Sequence, residues 1–302
     1  MIGVVILNFE DWHATERNLK SILDFEQSLS IVIIDNGSLS TKDYFGTTNE
    51  NEIRKILFKK YEFYILKNNF ELKVIRNDKN IGFSCGHNVG LSYLARHGLK
   101  FVCCLNSDLV FNAPSISEMG SDIDKNGSAI GSFAILDRNG ELDGNLYRKL
   151  KSVTNLIREI VFGTQSERKS AQIVENGSLV EVPSGAALMF NMSRWTIRPP
   201  LPSDIFLYNE EFVLGTLAKR LNVTIFQSSR LPCVHLGGLS STGKHILQIK
   251  KTFHQAKSIY VLYHRYKKQN LALVLIAATL FILKNSPVSV LKDAKYFIQK
   301  YI

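Results

Sequence analysis

The chain has 302 residues, 45% hydrophobic and 21% charged, which suits a domain with a sizeable core and excludes a disordered chain. Its four cysteines, Cys85, Cys103, Cys104 and Cys233, show no Cys-x-x-Cys spacing and read as small core residues in a reducing cytosol. Of the 37 basic and 27 acidic residues behind the net charge of +10, 11 and one lie in 244–302, which leaves 26 of each in the first 243. The basicity therefore belongs to an appendage and makes no case for nucleic acid binding by the main domain.

Apolar runs predict a strand over 2–7, a helix over 15–25 capped by Thr15, and a strand over 30–34. A charged, aromatic helical insertion follows over 44–64, then a strand over 72–75. A polar, glycine-containing loop over 76–90 runs into a helix ending near Arg96. The run Phe101 to Leu105 fits a strand buried on both faces, and it stops at Asn106-Ser107-Asp108. This alternation predicts an α/β fold with a mainly parallel sheet and right-handed crossovers. The first residues carry no basic leader and do not read as a signal peptide. Three Asn-Gly-Ser triplets, at Asn36, Asn126 and Asn176, read as turns.

Further on, a strand is predicted over 130–136, a hairpin turn at Asp137 to Gly140, and a helix over 146–162. Pro183-Ser184-Gly185-Ala186-Ala187 precedes an apolar run to Asn191, and the segment 205–221 opens on aromatic residues and the pair Glu210-Glu211 and continues as a helix. A strand is predicted over 223–226. The main domain is drawn as 1–243 and a basic tail as 244–302. In that tail Ile246, Ile249, Phe253, Ala256, Tyr260 and Tyr263 recur at helical spacing, and after Pro287 so do Leu291, Ala294 and Ile298 beside Lys292, Lys295 and Lys300. The apolar run over 271–283 would span about 20 Å, short of the roughly 30 Å bilayer core. Basic amphipathic helices of this kind fit an anionic membrane surface; packing on the main domain or on a second subunit is the alternative.

Asp108 follows a buried strand, where open α/β sheets collect ligands, and its carboxylate suits a divalent cation that also holds phosphates. An ordinary turn is the plain alternative. Asp35, the segment 77–90, the acids Glu210 and Glu211, and His235-Leu236-Gly237-Gly238 fall at the same predicted edge. Turn residues, a helix-start acidic pair and a satisfied histidine are the plain readings of these.

With these motifs in order, the chain resembles the bacterial family-two glycosyltransferases, in particular their rhamnosyltransferase-like branch. The resemblance covers roughly residues 2–242 and rests on VVILNFE, IIDNGS, RNDKNIGFSCGHNVG, LNSD, the glycine of PSGAALMF, FLYNEEFVLG, and VHLGG followed by Ser240. It implies a GT-A fold and a metal-dependent inverting enzyme using a nucleotide-sugar donor. Asp35 would contact the donor's base or ribose, and Asn8 would line that pocket through its backbone. Gly82 belongs to the loop that approaches the nucleotide, and Asn88 would open a helix offering amides. Asn106 would reach the ribose and Asp108 the Mg²⁺ or Mn²⁺ between the phosphates. His235 would complete the metal site or contact the diphosphate. Gly185 would help bind the donor, with Ser184 to Ala187 and the first tail helix at the acceptor pocket, and Glu211 stands at the position of the catalytic base, with Glu210 as its competitor. Asn106, His87, Glu211 and Val213 depart from the residues common in the family, Val213 replacing an acid.

The expected donors are UDP- or dTDP-sugars, and the expected acceptor is a glycan, lipid-linked, in bacterial surface polysaccharide assembly. The location expected is cytoplasmic and peripheral at the inner membrane face, without nucleic acid. A catalytically degenerate membrane-associated scaffold or sugar-binding partner is the alternative. A dinucleotide-dependent oxidoreductase is disfavoured, because Asn8-Phe9-Glu10-Asp11-Trp12 contains no glycine after the first strand.

Overall fold

The structure, a computed structural model, describes residues 1–142, 148–163, 172–237 and 246–285. Strands β1 (Ile2–Asn8), β2 (Leu29–Asp35), β3 (Glu71–Arg76) and β4 (Phe101–Asn106) run parallel in the order β3-β2-β1-β4. The side chains of β1, β2 and β4 are largely buried on both sides, whereas β3, at the edge, buries only Leu72 and Val74. Cys103 enters the core with Val4, Ile6 and Ile22, whereas Cys104 enters the opposite core with Val5, Leu91 and Leu94. Helices α1 (Trp12–Phe25), α2 (Thr41–Phe45) and α3 (Glu50–Lys67) serve the first face, and α4 (Phe83–Arg96) the second.

Three expected boundaries move for local reasons. The helix expected from Thr15 starts at Trp12, because the Asp11 carboxylate accepts from the Ala14 amide at 2.9 Å; Thr15 instead donates to Asn8 Oδ1. The insertion over 44–64 divides into α2 and α3 at Gly46, whose φ of 73° ends α2. The loop expected up to Gly90 is already helical from Phe83, since Gly86 and Gly90 pack directly on β1 and β2 where a side chain would collide with Leu7 and Val5.

Beyond β4 come β5 (Leu109–Phe111), α5 (Ser115–Lys125), β6 (Ile130–Leu136), α6 (Val153–Phe162), β7 (Gln172–Val174), β8 (Gly177–Val180), β9 (Ala187–Asn191), α7 (Glu210–Leu221) and β10 (Ile225–His235). The sheet continues from β4 as β9-β6-β10-β8-β7, with β5 on the far half of β10. β9 is antiparallel to β4 and β6, while β6 and β10 are parallel. The helix expected from 146 begins at Val153, capped by Ser152, and residues 143–147 lie outside the described ones. The strand expected over 223–226 runs instead to His235, with a register shift between Gln227 and Pro232 that interrupts its apolar pattern. β5, α5, β7 and β8 were not anticipated.

Helix α8 (Ile246–Tyr260) leads through a π-helical turn at Val261–Tyr266 to α9 (Leu271–Asn285); α8 packs on α9, α9 on α6, and the turn on α7. Ile259, Leu262, Tyr263, Val274 and Ala277 share a buried cluster with Val153, Ile205 and Val213. Of the expected α8 stripe, Ala256 and Tyr263 are buried, whereas Phe253 is exposed. The stripe after Pro287, and the side chains of Ile246 and Ile249, lie outside what is described.

Candidate active site

The parallel strands end in one row, with Asn8 beside Asp35 and Asp35 beside Arg76 in register, and Leu7 beside Asn106. Asp35 is fully buried there. Its Oδ1 accepts from Asn8 Nδ2 at 3.3 Å and Ser38 N at 3.1 Å, and its Oδ2 from Thr41 Oγ1 at 2.6 Å and Arg76 Nε at 3.0 Å. A ligand contact through this carboxylate requires one of those donors to give way. Arg76, which the sequence reading passed over, is the partly exposed group of this row, and it also donates to Ser38 O.

Asn36 builds the next loop. Its amide donates to Asn80 Oδ1 and Gly82 O, and its carbonyl accepts from Asn77 Nδ2 and Ile81 N. Gly82 then precedes α4 with φ 92° and ψ 173°, a region open essentially to glycine alone. A Cβ there would lie 2.5 Å from Phe206 O, and Phe83 N donates to that same oxygen at 2.8 Å. The close approach at Gly82 is therefore made by the segment 199–209. Asn88 does not open α4, which begins five residues earlier. It is buried in the second turn, where both ends of its amide bond Leu201. His87 beside it is completely buried with neither ring nitrogen bonded, and burial pushes it down to about 3, so it is neutral.

β5 and β10 bring the two expected metal ligands together. Leu109 pairs with His235, Leu236 N donates to Asp108 O at 3.0 Å, and His235 Nε2 lies 3.2 Å from Asp108 Oδ1. Among the described residues no three His, Cys, Asp or Glu side chains converge on a metal position. Asp108 offers the carboxylate oxygens that a hard cation takes and His235 a nitrogen beside them, so a cation held here would need further ligands. Arg138 binds the carbonyls of Leu236 and Gly237 behind this pair, beside a cavity of about 400 Å³ lined also by Asp137, Asn139 and His235. Asn106 is held through its carbonyl by Asn18 Nδ2 at 2.7 Å, and its own Oδ1 is buried without a partner. Gly238 and Ser240 of the VHLGG motif lie outside the described residues.

Asn106 N donates to Ala186 O, so the wall containing Gly185 stands beside the end of β4. A Cβ on Gly185 would lie 3.8 Å from Glu211 Oε2. Glu211 and Glu210 open α7 but face different surroundings. Glu211 Oε1 accepts from Arg148 Nη1 at 2.6 Å, and Arg148 Nη2 donates to Pro183 O at 2.7 Å. Glu210 is buried with Oε2 unbonded, and desolvation, aided by the neighbouring Glu211 charge, raises it to about 8. Burial thus favours the protonated form of Glu210, whereas Glu211 is the member of the pair that an arginine holds. Arg148 was missed because nothing in its sequence neighbourhood marks it.

No protein-family model matches the chain, and no curated protein sequence does. Solved structures do. S. aureus TarS aligns over 94% of this chain and 43% of its own, with a TM-score of 0.53 and 13% identity. TarS 1-349 in complex with UDP aligns over 94% and 88%, with a TM-score of 0.52 and 13% identity. GalNAc-T7 with UDP, GalNAc and Mn²⁺ aligns over 100% and 58%, with a TM-score of 0.54 and 12% identity. The chain thus spans less than half the length of the TarS chain. At such identities the likeness establishes the fold: an α/β sheet flanked by helices, as in GT-A glycosyltransferases.

Proposed function

We propose that the protein is an inverting glycosyltransferase that moves a sugar from a nucleoside diphosphate donor to a hydroxyl of a glycan, lipid-linked, in surface polysaccharide assembly. The observation that carries the reading is the meeting of Asp108 and His235, at 3.2 Å, beyond the carboxyl ends of a GT-A sheet. That TarS binds UDP-GlcNAc and GalNAc-T7 binds UDP and Mn²⁺ supports a UDP- or dTDP-sugar as donor and Mg²⁺ or Mn²⁺ as cation.

Asp108 and His235 would hold the cation, which when bound supplies positive charge to the departing diphosphate. The row of Asn8, Asp35 and Arg76, the Gly82 loop and Asn106 would form the nucleoside side. Asn88 would serve that side by holding Leu201. Glu211 takes the proton of the acceptor hydroxyl as its oxygen bonds to the anomeric carbon. The bond from that carbon to the phosphate oxygen breaks on the opposite face, the nucleoside diphosphate leaves, and the configuration inverts.

The basic tail would rest on the inner face of an anionic membrane. Among the described residues no helix is long and apolar enough to cross one. The outward side of α9 carries Leu271, Leu275, Ile276 and Leu283, all exposed, and at the end of α6 Val161 and Phe162 are exposed as well. Lys284 links the two helices through Ile160 O at 2.6 Å. These residues support a lipid-facing surface on α6 and α9; of the described apolar residues of α8, Ala256 and Ile259 are buried.

The test is incubation of the protein with UDP- and dTDP-sugars, with and without Mn²⁺, reading released nucleoside diphosphate and the product's anomeric configuration. Mn²⁺-dependent release with inversion is expected. Release with retained configuration, or none from a folded sample, would refute the reading.

A further inference from the structure

We propose that Arg148 is the positioning residue of the base, holding Glu211 by one carboxylate oxygen so that the other faces the space that Gly185 leaves open. The proposal rests on the glycosyltransferase reading of the site and names a residue that reading did not include.

The geometry divides the work between the two oxygens of one carboxylate. Oε1 is committed to Arg148 Nη1 at 2.6 Å, while Oε2 lies 3.8 Å from where a Gly185 side chain would begin. Arg148 is itself fixed at two further points: Nη2 donates to Pro183 O at 2.7 Å, and the guanidinium lies 5.0 Å over the Phe212 ring. One rigid fork thus ties α7 to the wall that precedes β9. Without it, the Glu211 side chain is free to rotate about a helix terminus, and the wall and the helix lose their link. An acceptor hydroxyl beside Gly185 would meet Oε2 without displacing Arg148.

Glu210 reports on the same arrangement. The charged groups that act on it are Glu211 and Arg148; Glu210 in turn raises Tyr208, over whose ring Lys251 lies at 5.8 Å. Glu211 raises the proton affinity of Glu210, and Arg148 lowers it. The titration of Glu210 therefore reads whether Arg148 sits by the pair in solution, independently of any catalysis.

The experiment combines that titration with kinetics on Arg148→Met, Arg148→Lys and Arg148→Ala in the full chain. Carboxyl ¹³C NMR, assigned with Glu210→Gln, should place the wild-type Glu210 midpoint near 8, move it higher in Arg148→Met, and return it towards wild type in Arg148→Lys. In sugar transfer, Arg148→Met should lower kcat by about 10²-fold, the scale of a misplaced reacting group, with the donor KM unchanged. Arg148→Lys should recover part of the rate, and free guanidinium should restore part of the Arg148→Ala rate. An unmoved Glu210 midpoint, or a loss confined to donor KM, would overturn the proposal. A wild-type protein with the expected titration but no transfer of any sugar would instead overturn the enzyme reading, and the base role of Glu211 with it, leaving a structural pair.

Discussion

His235 Nε2 lies 3.2 Å from Asp108 Oδ1, although Asp108 precedes β5 and His235 closes β10, far along the chain. The backbone bond from Leu236 N to Asp108 O closes that antiparallel pair, so the imidazole and the carboxylate are aimed by the sheet itself. His235→Ala should raise the Mn²⁺ concentration for half-maximal activity by at least about tenfold, since losing even an outer partner of a metal ligand costs that much. An unchanged Mn²⁺ dependence would remove His235 from the metal site.

Gly82→Ala should destabilise the fold by about 1–3 kcal/mol, from the backbone conformation alone. The added methyl would also press on Phe206 O, which is backbone and cannot swing aside. A drop of several degrees in Tm, together with weaker nucleotide binding, is the expected reading. A wild-type Tm would mean that the segment 199–209 does not lie against α4 in solution.

Two buried groups give the pH dependence of stability opposite slopes. Between its ordinary 4.5 and about 8, Glu210 keeps a proton in the folded chain that the unfolded chain has released, so stability falls as pH rises through that window. Glu210→Gln should remove this slope and make the variant more stable than wild type at pH 8. His87 acts in the other direction. Between 6.5 and about 3 the unfolded chain takes up a proton that the folded chain refuses, so stability falls as pH falls. His87→Asn should flatten that acid limb. Urea unfolding across about pH 5 to 8 measures both.

The exposed residues of α9 make the membrane reading testable without activity. Leu275→Glu with Ile276→Glu should abolish co-flotation with vesicles containing anionic lipid while leaving Tm unchanged, because neither side chain is buried. Retained flotation would move the contact elsewhere. Deleting residues 246–302, by contrast, should destabilise the main domain, since Ile205 and Val213 would lose their cover.

The parallel half of the sheet was legible because its strands are short apolar runs ending in polar turns, and β1 to β4 fell within a residue or two of expectation. Motif order put Asp108 and His235 at one predicted sheet edge, and the β5–β10 pairing brings them into contact. The middle of the chain was harder. β7 and β8 are three and four residues long, and the apolar pattern of β10 breaks at Ser228-Ser229-Arg230, so periodicity had little to act on. At Asn88 and Gly82 the loop motif gave no sign of the segment 199–209, which both contact and which is a long-range partner that no local pattern announces. Arg148 was invisible for the same reason: its partners Pro183, Glu211 and Phe212 are all distant in the sequence.

The central claim is a metal-dependent nucleotide site built on Asp108. Thermal unfolding of the wild type and of Asp108→Ala, with UDP or dTDP in the presence and absence of Mn²⁺, tests it most directly. A nucleotide at about 100 times its Kd should stabilise the wild type by about 2.7 kcal/mol, only with Mn²⁺, and Asp108→Ala should lose that gain while remaining folded. A well-folded wild type that no nucleotide stabilises, or an equal gain in Asp108→Ala, would contradict the account and favour a scaffold on a glycosyltransferase fold.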